Sequence, residues 1–358
     1  MTLFDRNNPF FSCIRKRALL SQKGSIKQTY HLTLSLQESS ITYQPGDCAA
    51  ILPSNARKDV DAIIQLLHLK EEENIDNRSL REFLTQKANL HKPHPALIRK
   101  YLGESPTDRP EFIKKSTPAD LIALKRNTII SSQEIPRLFL PLLPRFYSIA
   151  SSPLMFPREM DLLVSLVQYQ LDGHEHKGIA SRFLCEDALV GKTEIPLYIQ
   201  PAHHFLLPDD PNAAIILVGA GTGLAPYRAF MQHRLATNAK GRSWLFLGER
   251  NRATNFYYQD FWEDLQKQNR LRLSLAFSRD SEEKIYVQHR MWEERKDLWS
   301  WIRDGAYFYV CGDAHHMAKE VEATLHRIAM SEGGLSTEEA HHFIKNLRAE
   351  KRYRMDVY

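Results

Sequence analysis

The chain has 358 residues, of which 43% are hydrophobic and 25% are charged, and a formal net charge of +5. This length allows two or three domains with hydrophobic cores, and no apolar run is long enough to cross a membrane, which argues against a membrane protein. The four cysteines are widely scattered and the sequence does not open on a signal peptide. We therefore expect a reduced, cytoplasmic compartment and no metal site.

Basic residues are concentrated in two runs, at residues 15–17 and 351–354. Such runs can bind nucleic acid, but neither lies in a recognisable nucleic-acid-binding motif, so we expect no nucleic-acid partner. Attraction of an acidic protein, or of nucleotide phosphates, is the better interpretation of this charge.

The first part of the chain predicts an antiparallel β-barrel. Residues 30–36 alternate apolar and polar side chains with period two, and a turn signal at residues 43–47 precedes a short apolar strand. The apolar spacing then becomes helical, and strand patterns resume near residue 142. The predicted boundaries are 1–55 and 130–208 for the barrel and 56–129 for a helical insertion.

The predicted strand at residues 145–150 displays groups suited to a flat redox cofactor with a diphosphate. Arg145 offers a guanidinium for the diphosphate, Tyr147 offers a ring for stacking, and Ser148 offers a small hydroxyl near the reacting atom. Residues 178–181 then begin a short helix whose exposed amides can bind an anion. The alternatives are a strand with an incidental arginine and an ordinary strand-to-helix turn.

Residues 209–358 predict an α/β domain. Apolar strand segments alternate with helical segments, which is the pattern of a parallel sheet covered by helices on both faces. Strands are expected at 214–218, 243–247, 271–277 and 307–311, with helices at 226–235, 256–268, 313–330 and after the cap Ser336.

Two segments of this domain suit a dinucleotide. Glycines within residues 219–223 lie between a strand and a helix, where backbone amides can hold a diphosphate, although the spacing differs from G-x-G-x-x-G. Ser278, Arg279, Lys284 and Tyr286 follow a later strand and suit the 2′-phosphate of NADPH. The alternatives are a tight turn and a solvated loop.

The last predicted strand and the final segment each carry reactive groups. Cys311 ends the strand, where it could contact a nicotinamide or simply pack in the core. Asp356 and Tyr358 supply an acid and an aromatic ring, unless this segment is a frayed tail.

Together, these segments resemble the FAD- and NADPH-binding half of the diflavin reductases, within the ferredoxin–NADP reductase superfamily. The resemblance runs from Asn8 to Tyr358 and is greatest to the flavoproteins of NADPH–sulfite reductase, for which an Asp-Val-Tyr ending is typical. It implies an antiparallel β-barrel domain that binds FAD, with a helical insertion, followed by a parallel-sheet α/β domain that binds NADPH.

The resemblance also implies roles for individual residues. Those expected around the reacting rings, as catalytic residues, are Ser148, Cys311, Asp356 and Tyr358. Those expected to bind FAD are Arg145, Phe146, Tyr147, Ser148, Leu163, Ser165, Tyr169, Gly178, Ile179, Ala180, Ser181 and Tyr358. Those expected to bind NADPH are Gly221, Thr222, Gly223, Ser278, Arg279, Lys284, Tyr286, Gln288, Asp313 and Met317.

The implied activity is that of an FAD-dependent NADPH oxidoreductase. Its acceptor would be a separate protein: a flavodoxin-like protein, a ferredoxin or a hemoprotein subunit. The resemblance implies the flavoprotein component of a sulfite reductase. Diflavin reductases carry an FMN-binding domain before this region, and the match begins near residue 8, so we expect FAD and no FMN. The alternatives are a general flavodoxin or ferredoxin reductase and a non-catalytic flavin-binding scaffold.

Overall fold

Two main sheets of opposite type organise the described residues of the computed structural model, which are 4–103, 113, 115–124, 130–171 and 174–358. The strands are β1 Phe10–Leu19, β2 Thr29–Ser35, β3 Cys48–Ile51, β4 Asn74–Ile75, β5 Arg78–Ser79, β6 Ala88–Pro93, β7 Phe139–Pro141, β8 Arg145–Ser148, β9 Glu159–Ser165, β10 Gln168–Leu171, β11 His174–Lys177, β12 Glu194–Gln200, β13 Ile215–Ala220, β14 Ser243–Glu249, β15 Arg272–Phe277, β16 Tyr307–Gly312 and β17 Tyr353–Val357.

Helices connect and cover these strands. They are α1 Arg57–Leu67, α2 Leu80–Gln86, α3 Pro95–Leu102, α4 Pro118–Leu124, α5 Ile135–Leu138, α6 Ile179–Arg182, α7 Ala225–Ala236, α8 Arg252–Asn255, α9 Gln259–Lys267, α10 Val287–Glu293, α11 Arg295–Arg303, α12 Met317–Gly333 and α13 Thr337–Ala349. Short 3₁₀ turns occur at Ser132–Glu134 and Gly221–Leu224, and a π turn follows α6 at Phe183–Asp187.

The first sheet is antiparallel, with strand order β8-β3-β12-β1-β2-β9. β1 pairs with β12 through its first half and with β2 through its second half, and a bulge between Ile14 and Lys16 bends it near the change of partner. The two outer strands meet at a single antiparallel bridge between Ile149 and Leu162. The sheet thus curls around a buried apolar core, in agreement with the predicted β-barrel.

The helical region between β3 and β8 has a core of its own, which includes Val60, Leu97 and Leu121. Two small ladders, β4–β5 and β6–β7, lie among the helices, whereas the sequence predicted only helices there. Ile135 and Phe139 pack into the same core, so this region continues past the predicted boundary at residue 129. Residues 104–112, 114 and 125–129 lie outside the described part of the chain.

The second sheet is parallel, with strand order β15-β14-β13-β16-β17. Val218 and Phe246 face a core formed with α10 to α13, while Leu217 and Leu245 face a core formed with α7 and α9. Burial on both faces explains why the central strands are almost continuous apolar runs. The predicted α/β arrangement is confirmed.

The two sheets belong to one packed body, because the core around α7 and α9 also contains Ala150, Leu163 and Phe205. Residues 353–357 are not frayed: they form β17, which pairs in parallel with the outer side of β16. The helix predicted to begin at Asp313 begins at Met317, and the Asp313 carboxylate caps it by accepting the Met317 N–H at 3.2 Å.

Candidate active site

The barrel and the parallel-sheet domain meet at three polar side chains. The Ser148 hydroxyl, at the end of β8, donates to Asp356 Oδ2 at 2.9 Å. The Cys311 thiol donates to the same oxygen at 3.9 Å. The parallel register of β16 and β17 sets Cys311 directly beside Asp356, so the last strand carries this carboxylate to the barrel.

Burial controls the charge of these groups. Removal from water raises the pKa of Asp356, an effect that the hydrogen bonds from Ser148 and Cys311 partly offset. Burial also raises the pKa of the Cys311 thiol well above its usual value, and the neighbouring carboxylate adds to the increase. Cys311 is therefore a neutral thiol near pH 7.

Cys48 is a neighbour of this group that the sequence did not predict. It lies opposite Ser148 in the β3–β8 register, and its thiol donates to Ser148 Oγ at 3.9 Å. Burial raises the pKa of Cys48 to about 12. A cavity of ≈ 240 Å³ is lined by both Cys48 and Asp356.

The glycine-rich segment lies against the end of β16. Gly221 has φ +60°, which favours glycine, and it begins the 3₁₀ turn that precedes α7. A Cβ at Gly223 would lie 2.2 Å from the Cys311 carbonyl oxygen. Glycine at position 223 therefore allows the predicted diphosphate loop to approach the junction closely.

Tyr358 is joined to that same loop. Its hydroxyl lies 2.9 Å from Thr222 Oγ1, and its N–H donates to the Gly312 carbonyl at 3.1 Å. The side chain nevertheless remains 60% exposed. The structure thus brings together the glycine loop and the aromatic ring of Tyr358, whose contacting residues lie 136 positions apart in sequence.

The residues predicted to hold the 2′-phosphate follow β15. Ser278 Oγ donates to the Glu249 carbonyl at 3.4 Å, while the side chains of Arg279 and Lys284 are exposed and form no hydrogen bond or ion pair with other described residues. Tyr286 is partly exposed just before α10, and Gln288 lies in the first turn of that helix. Two unpaired cations at this edge fit a phosphate.

Glu249 is a second residue that the sequence analysis missed. Its carboxylate is buried at the end of β14. The Oε1 oxygen lies 3.8 Å from Lys27 Nζ and accepts no hydrogen bond from the described residues. A Cβ at Gly221 would lie 3.4 Å from this oxygen, so the carboxylate borders the glycine loop. Its place at the end of the strand next to β13 is the signal that could have indicated it.

The predicted FAD-binding face combines a cation with exposed rings. The Arg145 side chain is exposed and forms no hydrogen bond or ion pair with other described residues. Phe146 is 54% exposed and Tyr169 is 47% exposed, and Tyr169 stacks on His176 with ring centroids 5.5 Å apart. Tyr147 packs against the barrel core, and burial raises its pKa. Exposed aromatic surface beside an unpaired guanidinium fits a flavin with a diphosphate.

The predicted diphosphate segment of this face is compact. A Cβ at Gly178 would lie 3.0 Å from the Val167 side chain, so glycine allows the chain to pass there. Ser181 Oγ donates to the Gly178 carbonyl and accepts the Val167 N–H, both at 3.1 Å. The Ser181 hydroxyl thus already has two partners, and Ile179 and Ala180 form the short helix α6 beside it.

Some predicted site residues have clear internal contacts. Leu163 is buried in the core between the two domains, and Ser165 Oγ accepts a hydrogen bond from Thr29 Oγ1 at 3.3 Å. Met317 borders the junction, since a Cβ at Gly312 would lie 3.3 Å from its terminal methyl group. For Leu163 and Ser165 these contacts support a structural role.

Arginines of both basic runs donate to backbone carbonyls inside the protein, while Arg15, Lys16 and Lys351 are exposed. Arg17 Nη1 donates to the carbonyls of Leu184 and Ala188, at 3.2 and 2.8 Å. Arg352 likewise donates to the Ala306 carbonyl at 3.2 Å. These internal contacts weaken the prediction that the runs attract an acidic partner.

Among the described residues, no three His, Cys, Asp or Glu side chains are grouped so that they could hold a metal ion. No helix in the described ranges has the length and apolar character required to cross a membrane.

Comparison with known proteins agrees with this geometry. The FAD binding domain family matches residues 2–103, and the oxidoreductase NAD-binding domain family matches residues 217–323. The sulfite reductase [NADPH] flavoprotein alpha-components of Shewanella sp. (strain MR-4) and Bacillus subtilis (strain 168) are each 37% identical to the chain over 99% of its length. The Vibrio cholerae protein of the same name is 34% identical over 99% of the chain.

The chain spans 62% of the length of the Shewanella and Bacillus proteins and 60% of that of the Vibrio protein. The matched FAD and NAD families fall on the barrel side and on the parallel sheet. The chain therefore contains an FAD binding domain and an oxidoreductase NAD-binding domain, and along 99% of its length it is similar to the FAD- and NADPH-binding half of the diflavin reductases.

Proposed function

We propose that the protein oxidises NADPH through FAD and passes the electrons to a separate protein acceptor. The observation that carries this proposal is the contact of both Ser148 and Cys311 with Asp356, at the junction of the two domains. Bound FAD would supply the redox chemistry, because a flavin can accept a hydride and release electrons singly.

The chain's own residues would bind and orient the reactants. Arg145 would hold the FAD diphosphate and the exposed ring of Phe146 would border the flavin. At the junction, Ser148 would present its hydroxyl to the reacting ring. Asp356 would stabilise the positive charge that develops on the nicotinamide as the hydride leaves, and the buried setting strengthens that interaction.

Preference for NADPH over NADH is part of the proposal. The Arg279 and Lys284 side chains are exposed and without a charged partner in the described part of the chain, and they lie at the carboxyl edge of the parallel sheet, where ligands bind in open α/β folds. A 2′-phosphate would pair with them, whereas the hydroxyl of NADH offers no charge.

A fitting acceptor is the partner component of a sulfite reductase. The support comes from the relatives, whose name describes an alpha-component of an NADPH-dependent sulfite reductase. A general flavodoxin or ferredoxin reductase remains the second candidate, because the junction chemistry is the same for any one-electron acceptor. A non-catalytic scaffold is less consistent with the residues grouped at the junction.

Two measurements test the activity. Flavin released from the purified protein should be one FAD per chain, and equal amounts of FMN would contradict the expectation of FAD alone. Anaerobic NADPH should then bleach the flavin absorbance. A protein that holds FAD but is not bleached by NADPH would support the scaffold and refute the reductase.

A reconstitution experiment tests the acceptor. The reduced protein is mixed with a sulfite reductase hemoprotein, a flavodoxin or a ferredoxin, with a neutral dye as the control acceptor. Fast electron transfer to the hemoprotein supports the sulfite proposal. Transfer to the other acceptors alone would favour a general reductase.

A further inference from the structure

A second contact between the two domains, separate from the group of Ser148, Cys311 and Asp356, is a buried ion pair. Arg228 on α7 donates through Nη1 to Asp161 Oδ2 on β9 at 2.8 Å. The same nitrogen donates to the Ala150 carbonyl at 2.6 Å. The two side chains are only 14% and 9% exposed.

Each partner is held in place by its own domain. The Thr33 hydroxyl donates to Asp161 Oδ1 at 2.8 Å, and His31 Nε2 lies 3.5 Å from that oxygen. On the other side, the Arg228 guanidinium lies over the Tyr258 ring, 4.7 Å from its centroid. A second contact across the boundary joins the Tyr258 hydroxyl to His31 Nδ1 at 3.0 Å.

The position of this pair connects it to both reactants. Ala150 follows Ser148 by two residues, and α7 begins directly after the glycine turn Gly221–Leu224. Arg228 therefore links the strand that ends at Ser148 to the loop proposed to hold the nicotinamide cofactor.

We infer that Arg228 and Asp161 are positioning residues for hydride transfer, which fix the nicotinamide domain against the flavin domain. The inference rests on the proposed function. A buried ion pair is weak evidence for stability, because desolvation offsets much of the attraction. Reaction rates, in contrast, are sensitive to displacements of about 1 Å between reacting groups.

The test compares two carboxylates on β9 in the FAD-loaded protein. Asp161→Asn removes the charge that crosses the boundary, while Glu159→Gln removes an exposed charge that lies 3.9 Å from Arg15 within the barrel. Stopped-flow flavin reduction by NADPH should slow about tenfold or more in Asp161→Asn, which is roughly 1.4 kcal/mol in the barrier. Glu159→Gln should match the wild type, and FAD content and NADPH affinity should be unchanged in both.

Hydrogen exchange gives a readout that does not depend on activity. Peptides covering β9 and α7 should exchange faster in Asp161→Asn, whereas those from the helical insertion should not change. A double-mutant cycle with Arg228→Gln should be non-additive, with the double variant no slower than about the worse single variant.

Several outcomes would overturn the inference. These are unchanged flavin reduction in Asp161→Asn, a loss that only follows loss of FAD, or additive effects in the cycle. If Asp161→Asn fails to fold, the variant Tyr258→Phe tests the inference instead. It keeps the ring under Arg228 but removes the hydroxyl that contacts His31. Flavin reduction should then slow about threefold, which is roughly half of one decade. A wild-type rate in Tyr258→Phe would then count against the inference. A wild type that NADPH does not reduce would instead refute the proposed function.

Discussion

The charged groups of the two faces proposed to bind phosphate and those of the domain junction have opposite surroundings. The side chains of Arg145, Arg279 and Lys284 are exposed and have no hydrogen-bond or ion-pair partner among the described residues. Ser148 and Asp356, in contrast, are partly or largely buried and bonded to each other across the domain boundary.

This difference separates binding from chemistry. An exposed cation keeps its hydration and its rotamers until a phosphate arrives, so its removal should weaken binding and leave the rest of the protein intact. The junction groups are already oriented by the fold, which is the condition for electrostatic stabilisation of a transition state. We therefore expect junction variants to change rates and cation variants to change affinities.

The largest effect is expected for Asp356→Ala. Loss of the carboxylate removes the charge that would stabilise the developing positive nicotinamide, and removal of one such preorganised group typically costs about 100-fold or more in rate. Anaerobic single-turnover flavin reduction measures this rate. Asp304→Ala, an exposed carboxylate after α11, is the matched control. A rate within threefold of the wild type would show that Asp356 has no part in the chemistry, since that is only about 0.6 kcal/mol.

The second largest effect is expected for Arg279→Ala. A hydrogen bond to a charged group contributes roughly 1.5–3 kcal/mol, so NADPH affinity should fall about tenfold or more, while NADH affinity changes little. Equilibrium titration of both cofactors against the wild type and Arg303→Ala, an exposed arginine at the end of α11, measures the difference. Equal losses for NADPH and NADH would contradict the assignment of Arg279 to the 2′-phosphate.

The same contrast explains what the sequence could predict. The central strands and the glycine loop could be predicted from local sequence. A short apolar run indicates a buried strand, and clustered glycines indicate a tight turn. β17 carries no such signal: Tyr353–Val357 mixes charged with apolar residues, since the strand lies at the edge of the sheet. Its pairing with β16 became visible only in the structure.

Contacts that depend on packing could not be predicted from the sequence. Cys48 contacts Ser148 only through the β3–β8 register, and Glu249 reaches the glycine loop only because β14 lies beside β13. The hydrogen bond from the Ser181 hydroxyl to the Gly178 carbonyl was likewise not predicted, and its role in cofactor binding stays a prediction. Arg17 read as a surface charge, but it donates to buried carbonyls.

A smaller effect is expected on stability. Because burial raises the pKa of Asp356, the folded protein holds this proton more tightly than the unfolded chain does. The contribution of Asp356 to the free energy of unfolding should therefore fall as the pH rises above its ordinary pKa of 3.8. Asp356→Asn cannot ionise, so its stability relative to the wild type should increase with pH. Denaturant unfolding of both proteins between about pH 4 and 8 measures this, and a difference that is constant or shrinks would contradict it.

The smallest effect is expected at Tyr358, which belongs to both sides of the comparison. Its backbone is fixed by the bond to Gly312, and its hydroxyl contacts Thr222, yet most of its ring is exposed. The ring is thus held at the junction without being buried there. Such a ring can cover a flavin and still leave when another ring needs the same face.

Tyr358→Ala should let the nicotinamide stack on the flavin more stably. Aromatic stacking contributes roughly 0.5–1.5 kcal/mol, so NADP⁺ release should slow about twofold to tenfold. The gain from stacking is common to both cofactors, so the affinity for NADH should rise by a similar factor. Pre-steady-state reduction with each cofactor measures both effects. Tyr358→Phe is the control, since it keeps the ring and removes only the bond to Thr222, and it should remain close to the wild type. If Tyr358→Phe changes release as much as Tyr358→Ala does, the hydroxyl contact rather than the ring controls access to the flavin.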